Sequence, residues 1–186
     1  MINTKQFIWL ILYVPLLAQT YRYQLELVFY GEYLHWTGLQ STRLILLALS
    51  ITPLRLFFPK TSWVMWLMSK RRAIGVASFV YALLHLVAYL VNKGNLQSIV
   101  QEGQTIGLLT GWVAFVIFLL LAATSNDYSV RLLRRRWKTL HKAVYLGAAL
   151  TLAHWILTAF SPTTATIYLG VGVLLMVLRP IKKLRG

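Results

Sequence analysis

Six stretches of mostly apolar residues, each close to the length needed to cross a bilayer, divide this 186-residue chain. A hydrocarbon core of about 30 Å is crossed by about 20 residues of α-helix rising 1.5 Å each. The stretches run from about Gln6 to Gln19, Gly38 to Phe58, Ala73 to Val91, Thr105 to Thr124, Trp137 to Phe160 and Ala165 to Leu178. The first is short, and Pro15 predicts a kink in it. Pro53 falls near the end of the second, and Arg179–Pro180 is expected to end the sixth. The first run, which follows Lys5, superficially resembles a signal peptide. Its small-residue cleavage pattern is weak, so it reads as a retained first helix. Only 12% of the residues are charged and 58% are hydrophobic, whereas a soluble domain carries about 25% charged residues. The expected fold is therefore an all-α membrane protein, a six-helix transmembrane bundle forming one domain over residues 1–186. No internal repeat, low-complexity segment or long linker is evident.

The formal net charge of +15, from 19 Lys+Arg against 4 Asp+Glu, would point to nucleic acid in a soluble protein. Here the cations cluster in short connections between apolar runs, which is a topology signal. Lys5, the group Arg55 to Arg72, the group Arg131 to Lys142 and the group Arg179 to Arg185 share one side. Only Arg22, Arg43 and Lys93 fall on the other. The excess of cations in cytoplasmic loops then places both termini in the cytoplasm. Cysteine is absent, which excludes disulfides, thiolate metal sites, iron–sulfur ligation and covalent haem attachment.

The four histidines, His35, His85, His141 and His154, are the natural functional candidates, because ionisable residues within spans are costly. A single histidine there can also serve only to hydrogen-bond a neighbouring helix. Depth separates them. His85 lies thirteen residues after Arg72 and His154 eighteen after Arg136, roughly 20 Å and 27 Å along their helices. Both helices start on the basic side, so the two imidazoles fall in the same outer half of the membrane. His141 lies near the cytoplasmic surface, and its thirteen-residue separation from His154 leaves the two roughly 140° apart around the helix.

Two imidazoles at matched depth suit a haem iron, which accepts one on each face. Zinc prefers four ligands, and a proton relay prefers carboxylates within the spans. Rival readings of the same residues are a proton-coupled or metal transporter and a non-redox scaffold. Gly147, Ala148 and Ala149 between the two histidines of the fifth run, and Ala82 and Ala88 around His85, would admit either a flat macrocycle or a packed helix. Trp36, Trp137 and Trp155 read as interfacial anchors.

The segments "HWTGLQSTRLILLALSITPLR", "RRAIGVASFVYALLHLVAYL" and "RRRWKTLHKAVYLGAALTLAHW" resemble the haem-binding membrane subunits of bacterial periplasmic methionine sulfoxide reductase systems, the MsrQ family. That family sits within the ferric reductase-like transmembrane group. The resemblance covers nearly the whole chain and implies b-type haem, one or two, together with FMN. It implies electrons taken from quinone, or from a cytosolic flavin reductase. They would pass across the bacterial inner (cytoplasmic) membrane, in which the chain is multi-pass, to a periplasmic molybdopterin-containing methionine sulfoxide reductase subunit. The family's haem ligands map onto His85, His141 and His154, and His35 falls in the matching "HWTG". The wider group carries two histidines on each ligand helix, whereas here the third run has only His85, with Arg71 fourteen residues before it and Ile99 fourteen after. His141 thus lacks an evident partner.

Haem propionates and an FMN phosphate need cations. The candidates are Arg43 at the outer end of the second helix, and Arg71, Arg72, Arg136 and Lys138 on the basic side. The plainer role of the loop cations is topology and contact with anionic membrane lipid. Glu26, Glu32 and Glu102 read as solvated acids of the outer loops. No residue of the chain is expected to be catalytic or to bind methionine sulfoxide, and no nucleic acid partner is expected.

Overall fold

The computed structural model describes residues 4–159 and 162–183, and every regular element among them is a helix. In chain order these are α1 (Thr4–Gln24), α2 (Tyr30–Phe57), α3 (Ser62–Lys93), α4 (Leu96–Gly103), α5 (Ile106–Ala123), α6 (Asp127–Leu133), α7 (Arg135–Leu140), α8 (Val144–Thr158) and α9 (Thr163–Lys183), with a 3-10 turn at His141–Ala143 joining α7 to α8. Each expected apolar run lies within or across one of the long helices. The ends differ, and the differences have a common cause.

Hydropathy marks where a helix is apolar, whereas the backbone stays helical wherever no residue breaks it. Thus α3 starts at Ser62 rather than Ala73 and carries Lys70, Arg71 and Arg72 inside it. The basic group expected in a connection is part of the helix, because Lys and Arg are good helix formers. Similarly α2 begins at Tyr30 rather than Gly38, so His35 is part of the helix, near its outer end. α1 continues through Pro15, and α9 runs past the expected stop at Arg179–Pro180. The fifth run is less regular than expected. Arg134 adopts a left-handed φ of 47° and separates α6 from α7, and the 3-10 turn interrupts the helix again before α8. Phe160, the expected end of that run, and Arg185 lie outside the described residues. The outer connection "VNKGNLQSIVQEGQ" forms α4, capped by the Asn95 side chain accepting from the Gln97 amide at 2.8 Å. Gly94 supplies the left-handed C-cap of α3 at φ 59°, a conformation that glycine adopts without a Cβ penalty.

Two helix pairs dominate the packing, α2 with α3 and α5 with α8. α3 also meets α5, α2 meets α8, α9 lies against α2 and α8, and α1 rests on α2 and α3. The α2–α3 seam is built from small residues. Ser41 and Ser78 are buried, and each hydroxyl donates to the other's carbonyl, at 2.9 and 2.8 Å. Such interhelical bonds are worth about 0.6–2 kcal/mol each between helices in lipid. In the α5–α8 seam a Cβ on Gly147 would meet the Phe118 ring at 2.8 Å. Gly147 and buried Ala148 therefore serve helix packing, the plainer of the two roles open to them.

The outer surface is strongly apolar. Leu10, Leu17, Val116, Leu120, Leu146 and Val173 are all more than two-fifths exposed, the inverse of a water-soluble surface. α3 and α5 are each long and apolar enough to cross a membrane on length and composition alone, and Thr163–Leu175 is a shorter apolar segment.

Candidate functional site

A cavity of about 890 Å³ occupies the end of the bundle away from the basic turns. Its wall is mostly apolar and is drawn from α2, α3, α5 and α8, with Lys93, Glu102, Thr105 and Thr164 toward its mouth. Three of the four histidines line it: His35, His85 and His154. A pocket of this size and lining is of the kind that holds a cofactor.

His85 and His154 enter from the two different helix pairs and are held in the same way. The Nδ1 of His85 lies 2.9 Å from the Leu34 carbonyl oxygen of α2. The Nδ1 of His154 lies 2.7 Å from the Gly107 carbonyl oxygen of α5. A carbonyl oxygen only accepts, so each Nδ1 carries the hydrogen. Each Nε2 therefore keeps its lone pair. A metal-ligating histidine commonly donates its other ring N–H to a backbone carbonyl in this way, which fixes the tautomer and ring orientation.

The separation of the two rings fits the same use. Their centroids are 6.4 Å apart and their planes meet at 88°. Two imidazoles bound on opposite sides of one metal, with about 2.0 Å from metal to nitrogen and about 1.1 Å more to each ring centre, would have centroids about 6.2 Å apart. Among the described residues no group of three or more His, Asp or Glu gathers as a metal cluster. The pair thus matches a centre whose remaining ligands come with it, as a porphyrin's do.

The other expected site residues lie elsewhere. His141 sits in the 3-10 turn, stacked on Trp137 with centroids 3.9 Å apart. The Thr124 hydroxyl donates to the Leu120 carbonyl at 2.7 Å, which leaves its lone pairs to accept from His141 Nε2 at 3.1 Å. Trp137 Nε1 donates to the Thr124 carbonyl at 2.9 Å. The charged groups facing His141 are Arg71 and Arg72 of α3. Arg71 donates to Thr52 Oγ1 at 3.3 Å, and Arg72 pairs with Asp127 at 2.5 Å. Lys138 is exposed on α7. Arg43 does not line the cavity: its Nε donates to the Tyr168 hydroxyl of α9 at 2.8 Å, on the bundle's exterior.

The cation that does line the cavity is Lys93, at the end of α3. Its ammonium pairs with Glu102 of α4 at 2.5 Å, and Tyr89 donates to the same carboxylate at 3.2 Å. The Lys93 ammonium holds the Glu102 carboxyl below its ordinary range, with the Tyr89 hydroxyl acting in the same direction. Sequence reasoning passed over Lys93 as a cofactor contact. The available signal was its place among the three cations on the sparsely charged side.

Comparison with known proteins shows the family of the chain. Residues 37–152 match the family described as ferric reductase like transmembrane component, a span that includes His85, His141 and most of both helix pairs but stops two residues short of His154. The chain is a ferric reductase-like transmembrane component, and so a membrane protein. A protein of Brucella anthropi named protein-methionine-sulfoxide reductase heme-binding subunit MsrQ is 36% identical over 152 residues, covering 80% of this chain and 67% of that one. Proteins of the same name from Brucella ovis and Brucella canis are 35% identical over 149 residues, covering 78% of this chain and 66% of theirs. Within its group, the chain belongs to the MsrQ family. It spans about two thirds of the length of these relatives. No solved structure matches it.

Proposed function

We propose that this chain is a haem-binding electron-transfer subunit of a methionine sulfoxide reductase system. In this reading His85 and His154 would together hold a b-type haem. The observation that carries it is the matched pair of imidazoles, each with Nδ1 donated to a backbone carbonyl, 6.4 Å apart in one apolar cavity. The name shared by the relatives, a heme-binding subunit, points the same way.

The haem would supply one-electron chemistry. The chain's own residues do the rest. The two backbone carbonyls orient the imidazoles and raise their basicity. Phe115, Leu108 and Leu86 give the cavity an apolar wall. Lys93 is placed to balance a propionate carboxylate at the mouth, the role earlier expected of Arg43. A second haem, or FMN, would belong at the basic end near His141, Arg71, Arg72 and Lys138. There His141 would have to give up the Thr124 hydroxyl to use its Nε2.

The remaining parts of the reading follow from family and charge together. In this reading α1, α2, α3, α5, α8 and α9 cross the bacterial inner membrane with both termini cytoplasmic, a topology supported by the clustering of basic residues on one side. Electrons enter from quinone or a cytosolic flavin reductase on the basic side. They leave past the cavity mouth to a periplasmic molybdopterin-containing reductase.

A reduced-minus-oxidised spectrum of the purified chain tests the central element. A b-type Soret shift, removed by either His85→Ala or His154→Ala, is the expected result. A spectrum with no haem signature would favour a histidine-dependent transporter.

A further inference from the structure

The dipeptide Thr-Gly occurs twice in the chain, at Thr37–Gly38 in α2 and Thr110–Gly111 in α5. The two copies lie opposite the two cavity histidines, and they share one contact. The Thr37 hydroxyl divides its hydrogen between the Tyr33 carbonyl at 2.9 Å and the Leu34 carbonyl at 3.0 Å, the latter being the oxygen that accepts from His85 Nδ1, and it lies 3.5 Å from that nitrogen itself. The Thr110 hydroxyl donates to the Gly107 carbonyl at 2.7 Å, the oxygen that accepts from His154 Nδ1. In both cases the threonine is three residues beyond that carbonyl and the glycine four.

The glycines explain how an imidazole reaches a carbonyl that is already part of a helix. The side chain four residues on leans back toward the helix N-terminus and covers the carbonyl. A Cβ on Gly38 would stand 3.0 Å from His85 Nδ1, and a Cβ on Gly111 would stand 2.7 Å from His154 Nδ1. Any side chain at either position would push the ring away from its acceptor. The threonines act on the acceptor itself. In a regular helix the same oxygen also receives the amide of the glycine four residues on. The hydroxyl adds a further donor to that oxygen, so the imidazole shares its acceptor with two other groups.

We propose that Thr37–Gly38 and Thr110–Gly111 are a matched pair of positioning devices, one for each axial imidazole. The glycines admit the rings, and the threonine hydroxyls limit how strongly the carbonyls draw on the Nδ1 protons. Through that second effect they set the electron donation of Nε2 to the metal. The inference deepens the two-histidine haem reading and rests on it.

The test uses the purified full chain loaded with iron protoporphyrin IX, with haem content, absorption spectrum and midpoint potential as readouts. Gly111→Ala is expected to weaken haem binding about tenfold or more, the range seen when a ligand's supporting partner is disturbed. Gly38→Ala is expected to do less, since its added Cβ meets the ring at the longer distance. Thr37→Val and Thr110→Val preserve shape and remove the competing donor. Each should strengthen the Nδ1–H bond to the carbonyl, make the imidazole a stronger donor and lower the midpoint potential. Thr→Ser at either position should restore it. Should Gly111→Ala fail to fold, the Thr→Val and Thr→Ser pairs decide the matter by themselves. Unaltered haem content and spectrum in folded Gly111→Ala, or an unaltered potential in both Thr→Val variants, would overturn the proposal. If the unaltered chain takes up no haem at all, it is the two-histidine reading beneath it that falls.

Discussion

His154 and His141 belong to one short stretch of sequence, yet they face opposite chemistry. At the cavity end, His154 commits Nδ1 to the Gly107 carbonyl and leaves Nε2 bare beside His85. At the basic end, His141 commits Nε2 to Thr124, stacks on Trp137 and has two arginines for neighbours. One ring presents a lone pair to a cavity, whereas the other pins the α7–α8 turn to the end of α5. The contrast lies in which ring nitrogen is already hydrogen-bonded, Nδ1 in His154 and Nε2 in His141.

Substitutions should widen that contrast. The largest effect is expected at the cavity end, where His85→Ala and His154→Ala each remove the same haem signal, because a two-ligand site fails when either ligand is lost. Lys93→Ala comes next. It removes the cation lining the cavity and should reduce haem retention severalfold, read as haem per chain after washing, in the manner of other supporting-residue substitutions. Arg43→Ala, which acts on the bundle exterior, should leave retention near its original level.

His141→Ala is expected to spare the signal shared by His85 and His154, or to lower it less than either of their own substitutions. It gives up a hydrogen bond and a ring stack, about 1–2 kcal/mol together, so a lower thermal midpoint is the expected measurement. If it instead removed the whole haem signal, the division between the two ends would not hold.

The smallest effect concerns the mouth of the cavity. The lowered Glu102 carboxyl stays ionised, and so paired with Lys93, at neutral pH. Its contribution is complete above the ordinary value of 4.5 and is lost as pH falls through the lowered value. Amide exchange in α4 should accordingly rise only at acid pH, and Glu102→Gln should flatten that dependence.

Much of the helical plan was legible because apolar runs and basic clusters are properties of single segments. The match of Ala73–Val91 to part of α3, and of Thr105–Thr124 to α5 and its two caps, needed nothing more. The extension of α3 back to Ser62 was hidden, because Lys70, Arg71 and Arg72 lower hydropathy without breaking a helix. His85 and His154 could be paired by counting residues along two helices from their basic ends. The same counting could not show that Arg43 turns outward to Tyr168 while Lys93 turns inward, because azimuth depends on which helices become neighbours. The Thr-Gly repeat was in plain view but too short to register as one. Its meaning depends on the histidine that each copy faces across a helix pair.

The central claim is that His85 and His154 ligate one haem together. It is tested most directly by haem stoichiometry and spectrum in the purified unaltered chain and its His154→Ala variant, measured by pyridine hemochromogen. The account predicts a six-coordinate b-type haem in the unaltered chain and its loss in the variant. Full haem content with an unchanged spectrum after His154→Ala would contradict it.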